Sequence, residues 1–257
     1  MTGRLRRLVA PLTGLVGFFG LWEAYVRLAS VPAYQLPPPS QILRHIADNR
    51  DFYARNLWPT LGEAALGFLV ALVAGLAIGA AMGHSRFTER AIAPIAVIVQ
   101  VTPIVAIAPA IQIWLGFGLK PIVAITALVC VVPFTLNTVT GLRSVDPAAL
   151  EVLESLAASD LEIFRRLRVP SALPNLLAAA RINVGLALVG AVLGEIFVAG
   201  ADRGLGYAIN VAIARPGTLF DQLWGSIFVL GLLGGALVTA VTGLERRLVG
   251  WHSTGQF

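Results

Sequence analysis

The chain has 257 residues, 57% of them hydrophobic and 13% charged, against roughly 45–50% and about 25% in ordinary soluble domains. That balance excludes a water-soluble globule and a disordered chain. The net charge of +5 comes from 18 Arg and one Lys spread between apolar runs, which reads as a membrane-topology signal and not as a nucleic-acid surface.

A helical crossing needs about 20 apolar residues. Windows of that length predict spans near 9–29, 60–83, 91–115, 121–142, 175–199 and 223–244. The expected fold is therefore all-α, a polytopic membrane helix bundle with six transmembrane helices in a single domain over 1–257. Arg4, Arg6 and Arg7 precede the first span as they would a secretory signal. The apolar stretch from Leu8 outruns a signal h-region, so it is expected to stay as a span. Six crossings leave both termini on one side. Placing them in the cytoplasm puts eleven basic residues inside and seven outside, with Arg181 within the fifth span, as the positive-inside rule favours. Glu23 and Arg27 lie four apart and are expected to pair along one helix face.

Between the first two spans, Leu36-Pro37-Pro38-Pro39-Ser40 reads as a stiff extended piece. In 41–57, Ile42, Leu43, Ile46, Phe52, Tyr53 and Leu57 alternate with charges, a pattern open to a short amphipathic interfacial helix or a polar loop. Gly75, Gly79 and Gly83 recur every four residues in the second span, as do Gly190 and Gly194 in the fifth, so close helix packing is expected there.

The third span carries Pro94, Pro103 and Pro109, with Gln100, Thr102 and Gln112 between them. Each proline removes a backbone donor and bends the helix, and freed carbonyls are tolerated only beside protein or a wet path. Thr135, Asn137 and Thr138 follow Pro133 in the fourth span. Together with Arg181, Asn183 and Glu195 of the fifth, these polar groups suggest a pathway for a polar solute; interhelical hydrogen bonding is the plainer reading of each taken singly. Arg181 and Glu195 are 14 positions apart, about 21 Å along a helix, too far to pair with each other.

The longest polar interruption is 143–174. Asp146-Pro147 reads as an N-cap followed by proline at the first helical position. Ser159-Asp160-Leu161-Glu162 has capping-box spacing, starting a second helix expected to end before Pro170. The small residues Ala157 and Ala158 mark the corner between them. Leu150, Leu153, Leu156, Ile163 and Phe164 offer an apolar face that fits either a partner's groove or the chain's own bundle. Beyond the fifth span, 201–217 is weakly hydrophobic, and a short re-entrant or surface helix over 205–214 is expected to act as an outer gate.

Chemistry-bearing patterns point away from an enzyme. His45, His84 and His252 fall in loops or at the terminus without zinc spacing, no nucleophile–base pair is evident, and Cys130 is alone. No catalytic or metal-binding residue is predicted. A phosphate-binding loop needs G-x-x-x-x-G-K-[ST], yet the single lysine, Lys120, is followed by Pro121. Any ATP hydrolysis must therefore come from another polypeptide.

Residues 151–170 resemble the cytoplasmic loop of binding-protein-dependent ABC importer permeases, E-A-A-x3-G-x9-I-x-L-P. Glu151 and Pro170 match. Val152 and Leu153 stand where two alanines are usual, Ala157 replaces the glycine, and Leu167 and Val169 replace Ile and Leu. Further stretches resemble the nitrate/sulfonate/taurine (bicarbonate) branch: Leu36-Pro37-x-Pro39-Ser40, Trp114-x-Gly116-x-Gly118, Gly141-Leu142-Arg143-Ser144-Val145-Asp146-Pro147, Gly194-Glu195, Gly204-Leu205-Gly206-Tyr207, and Glu245-Arg246-Arg247 with Trp251. The similarity runs over about residues 36–251 in the expected order.

The resemblance implies the type I permease fold with cytoplasmic coupling helices, in the bacterial inner membrane. It implies a second permease copy, two ABC ATPase subunits that bind ATP and Mg, and a periplasmic or lipid-anchored substrate-binding protein, with no cofactor in this chain. The ATPase-coupling loop would comprise Glu151, Glu154, Ala157, Ala158, Ser159, Asp160, Phe164 and Pro170. The solute would be a sulfonate, taurine, nitrate or similar anion, or a pyrimidine vitamin precursor. The pathway would draw on Gln100, Thr102, Pro103, Gln112, Asn137, Arg181, Asn183 and Glu195. An ion-gradient-driven secondary transporter is the alternative, and it predicts matching half-repeats that the sequence does not display.

Overall fold

A computed structural model describes residues 2–198, 200–215 and 218–248, with backbone alone for 2–8, 10–12, 246 and 248. Expectations placed on Ala199, Pro216, Gly217, Trp251 and His252 lie outside the described residues, as do those on the side chains of Arg4, Arg6, Arg7 and Arg246. The described residues form helices and turns with no strand.

The chain enters through α1 (Thr2–Leu28) and an extended Pro-rich segment into α2 (Pro39–Asp48). Pro38 is extended (φ −67°, ψ 146°) and Pro39 opens α2, where a missing N–H costs nothing. Glu23 caps the start of α2: the Ser40 N–H donates to Oε2 at 3.0 Å and the Ser40 hydroxyl to Oε1 at 2.7 Å. Glu23 also pairs with Arg27 at 2.6 Å, as the four-residue spacing predicts. Rings on α1 meet rings on the last helix, α11 (Phe220–Leu248), with Phe19–Phe228 centroids 5.5 Å apart and Trp22–Trp224 centroids 6.2 Å apart.

An amphipathic helix does form after the prolines, but it stops at Asp48. Residues 50–57 belong instead to the second span, since α3 runs from Arg50 to His84. Its 35 residues extend about 52 Å, longer than a hydrocarbon core of about 30 Å. The third expected span is broken: α4 (Arg86–Val101) and α5 (Ile104–Leu115) meet at 104°. Pro103 is the cause, because its ring forces Thr102 out of the helical region (ψ 124°). Pro94 and Pro109 stay inside their helices. Gly116 and Gly118, both at positive φ, turn the chain into α6 (Leu119–Arg143).

The core is the junction of α3, α6 and α9 (Val169–Phe197). Ala64, Ala71, Ala127, Cys130, Ala179, Ala187 and Ala191 pack around a fully buried Phe134, whose ring meets Phe68 edge-on at 5.2 Å. In lipid, helices associate through close packing and not through hydrophobic burial, and glycines permit it. A Cβ on Gly79 would lie 2.5 Å from Thr138 Cβ, one on Gly190 would lie 2.8 Å from Thr126 Cα, and one on Gly194 would lie 2.7 Å from Ile122 Cγ2. The four-residue glycine spacing thus marks the α3–α6 and α6–α9 seams.

Four described helices are long and apolar enough to cross a membrane, and the bent α4–α5 pair makes a fifth. The first expected span is helical as α1, but its early side chains lie outside the described residues. The six expected crossings are therefore not reached by the described helices alone.

The packing yields a direct expectation. Gly190→Val forces a methyl into the α6 backbone and should cost about 1–3 kcal/mol, whereas Gly185→Val on the same helix meets open space within 4 Å. Thermal unfolding in detergent should show a lower midpoint for the first variant alone.

Candidate functional site

The loop between α6 and α9 is built by local capping. The Asp146 carboxylate accepts the Ala148 N–H at 3.0 Å, and Pro147 opens α7 (Pro147–Ser155). α7 ends in a Schellman arrangement: the Ala158 N–H donates to the Leu153 carbonyl and the Ala157 N–H to that of Glu154, each at 3.0 Å. Ala157 takes the left-handed conformation there, φ +53°. Its methyl makes this conformation roughly 1–2 kcal/mol dearer than for glycine, yet the corner keeps the geometry that a glycine would favour.

Ser159 then caps the next turn. Its hydroxyl accepts the Glu162 N–H, and the Glu162 carboxylate accepts the Ser159 N–H at 3.0 Å. The expected end before Pro170 does not occur. α8 (Asp160–Ile163) passes through a π-helical stretch (Phe164–Arg168) into α9, giving one helical element from Asp160 to Phe197. The Val169 N–H reaches back five residues to the Phe164 carbonyl. This wider turn, a device often found at functional sites, admits Pro170 in the second position of α9 without ending the helix.

Glu151, Glu154, Ala157, Ser159 and Asp160 are exposed at the corner, with Ala158 and Phe164 partly buried and Pro170 exposed above it. Val152, Leu156 and Leu161 expose 58%, 72% and 64% of their surface. Acidic side chains and bare apolar ones therefore share one projecting surface. A cavity of about 340 Å³ lies between Ala80 and His84 at the end of α3 and Asp160, Leu161 and Phe164 of the loop.

The polar pathway residues do not gather at one point. Gln100, Thr102 and Pro103 sit at the α4–α5 break, Gln112 on α5, Asn137 on α6, and Arg181, Asn183 and Glu195 on α9. Several bond to their own helix: Asn137 Nδ2 donates to the Pro133 carbonyl at 2.8 Å, the Thr102 hydroxyl to that of Ile98 at 2.6 Å, and Asn183 Nδ2 to that of Ala179 at 3.0 Å. Asn183 is fully buried, and its Oδ1 has no partner among the described residues. Arg181 is exposed and pairs with Glu245 of α11 at 3.5 Å.

Glu195 is the exception, because it organises three elements. The segment expected as a gate is a helix, α10 (Leu205–Ala214). Its leading donors are satisfied by side chains of α3 and α9. The Gly204 N–H donates to Asn56 Oδ1 at 3.0 Å and the Leu205 N–H to Thr60 Oγ1 at 2.8 Å. The Gly206 and Tyr207 N–H groups both donate to Glu195 Oε2, at 2.5 and 3.2 Å. The Thr60 hydroxyl donates to Glu195 Oε1 at 2.5 Å. Glu63, three residues beyond Thr60 on α3, is also buried, and its Oε2 has no hydrogen-bond partner among the described residues. Gly204 has φ +124°, and a Cβ there would overlap the Glu195 carboxylate.

Sequence reasoning singles out Glu195 and passes over Asn56, Thr60 and Glu63. Glu63 carried a usable signal, since a carboxylate inside an apolar span is a functional candidate by default. Asn56 and Thr60 carried none, being ordinary polar residues near a helix start.

Comparison with known proteins agrees with this architecture. Residues 71–250 match the family model described as binding-protein-dependent transport system inner membrane component. The chain is 35% identical over 235 residues to the formylaminopyrimidine transport permease protein ThiX of Halalkalibacterium halodurans, covering 90% of this chain and 91% of that protein. It is 28% identical to the taurine transport system permease protein TauC of Escherichia coli, covering 98% and 92%. A subunit of the inward-facing MetNI methionine ABC transporter shares the fold, with a TM-score of 0.67 at 19% identity over 76% of this chain and 95% of that one. The ion-gradient-driven alternative finds no support among these relatives. On the extent of the family match and of its likeness to ThiX, the chain belongs to the binding-protein-dependent transport system inner membrane components, the membrane-spanning permeases of ABC importers.

Proposed function

We propose that two copies of this permease enclose the pathway and that one ABC ATPase subunit docks on the 147–163 corner of each. ATP and Mg are held by those ATPases, and an extracytoplasmic binding protein delivers the solute at the opposite end. In this reading both termini and the corner face the cytoplasm of a bacterium. Glu151, Glu154, Ala157, Ala158, Ser159 and Asp160 form the contact surface, Phe164 braces it, and Pro170 follows the π turn that joins it to α9.

The supporting observation is the unbroken helical element from Asp160 to Phe197. A load on the exposed corner has no hinge loop in which to dissipate before it reaches the membrane core. The bare Val152, Leu156 and Leu161 side chains suit helix-in-groove docking, with acidic residues around them setting register.

The solute is a small polar molecule, an anion such as a sulfonate, taurine or nitrate, or a pyrimidine vitamin precursor. The relatives' names span both classes, and selection rests largely with the binding protein. Gln100, Thr102, Pro103, Gln112, Asn137 and Asn183 supply the neutral polar lining in this scheme, and Arg181 its cationic end.

Ala157→Arg places a long cation at the centre of the contact and should lower ATP-driven uptake by about tenfold or more, the scale of losing one hot-spot contact. Membrane insertion should be unaffected. Ala157→Gly should keep uptake and stabilise the corner by about 1 kcal/mol. Uptake unchanged in Ala157→Arg refutes the docking assignment. The purified permease alone should hydrolyse no ATP, and hydrolysis should appear only when the ATPase subunits are added.

A further inference from the structure

A helix start leaves its first N–H groups without intrahelical partners, and serine, threonine or asparagine in the adjoining turn ordinarily supplies the acceptor. α10 is preceded by glycine and has no such local cap. Its donors are met from a distance, by Asn56 and Thr60 on α3 and by Glu195 on α9. Burying a carboxylate to 1% exposure in an apolar bundle is a costly way to cap one short helix. It does something a neutral local cap cannot, because it ties α10 to two spanning helices at once.

The position of Glu195 gives that tie a direction. It lies 26 residues beyond Val169 on the same helix, about 39 Å away, and that helix continues without interruption into the corner at Asp160. α10 begins at Leu205, eight residues beyond the end of α9 at Phe197, so the helical continuity with the corner stops short of it and the Glu195 bonds span that gap. Gly204, at a φ that other residues rarely adopt and with its Cβ position filled by the carboxylate, lets the backbone come close enough for the Glu195 bonds to form. Thr60 accepts from Leu205 and donates to Glu195, so a shift of α9 against α3 strains the Thr60–Glu195 bond and leaves α10 unable to keep its bonds to both helices.

We infer that Glu195 is the positioning residue through which α9 sets the placement of α10: movement of the corner is delivered to the opposite mouth as making or breaking of the Glu195 bonds to Gly206 and Tyr207. This rests on the permease reading above. α10 then works as a gate whose latch is backbone hydrogen bonding to one buried carboxylate.

Amide hydrogen exchange of the full chain in lipid nanodiscs, alone and assembled with its ATPase subunits, tests it. In the chain alone, Glu195→Ala should speed exchange across 204–207 by about tenfold or more, the loss expected for a charge-assisted bond. Glu195→Gln, which keeps an acceptor, should show a smaller rise. Thr60→Val should raise exchange at Leu205 and serves if Glu195→Ala fails to fold. In the assembled complex, trapping with ATP and vanadate should change exchange at both 151–164 and 204–207. In Glu195→Gln the 151–164 response should persist while that at 204–207 is reduced. Unaltered 204–207 exchange in both Glu195 variants overturns the latch, as does a nucleotide response at 204–207 of equal size in wild type and Glu195→Gln. Loss of ATPase assembly in wild type sinks the permease reading instead, while the chain-alone measurements still report on the latch.

Discussion

In hydrocarbon no water is available to satisfy a backbone N–H or C=O, so each must find a partner within the protein. That requirement explains this structure more fully than any count of apolar residues. It keeps the chain helical, and it directs the hydroxyls and amides of α6 back onto their own turns, as at Thr126, Thr135, Asn137 and Thr138. It makes the breaks informative, because each place where the ladder is interrupted must be repaired by something specific.

Three interruptions are repaired in three ways. At Pro103 the helix gives way and bends by 104°. At Pro170 it does not, because the π turn ending at Val169 widens the ladder before the proline ring arrives. At Gly204 a new helix begins in the interior, and its free donors are taken up by Asn56, Thr60 and Glu195. The second repair makes the 160–163 turn of the corner and α9 one body. The third fastens the opposite end of that body to α10. Between them the α3–α6–α9 junction is packed so closely at Gly79, Gly190 and Gly194 that relative movement is expected as rigid shifts along the seams and not as local softening, since close-packed interiors transmit strain.

The corner shows how much a family pattern tolerates when backbone geometry is retained. Ala157 departs from the glycine of the pattern but takes a left-handed turn of the kind glycine favours. The Schellman bonds around it and the Ser159–Glu162 capping box on its far side outweigh the methyl's steric cost. Val152 and Leu153 stand in place of alanines, and Val152 is left exposed at the corner, adding apolar area to that surface.

Sequence by itself determined the features set within a few residues: the helical spans, the Pro-rich entry to α2, the Asp146 and Ser159 caps, the Glu23–Arg27 pair and the glycine seams. Each follows from spacing along one helix or from the dihedral preferences of proline and glycine. Where two local rules compete, as at Pro103 against Pro170 or at the start of α3, the outcome depended on what packs nearby. Only the tertiary structure decided that Glu195 bonds to the start of α10, that Arg181 pairs with Glu245, and that Asn56 and Thr60 belong to the same cluster. Thr60 and Glu195 are 135 positions apart, and no periodicity carries information over that distance. Their meeting is fixed by how closely α3, α6 and α9 pack, and by the need of the four N–H groups at the start of α10 for an acceptor.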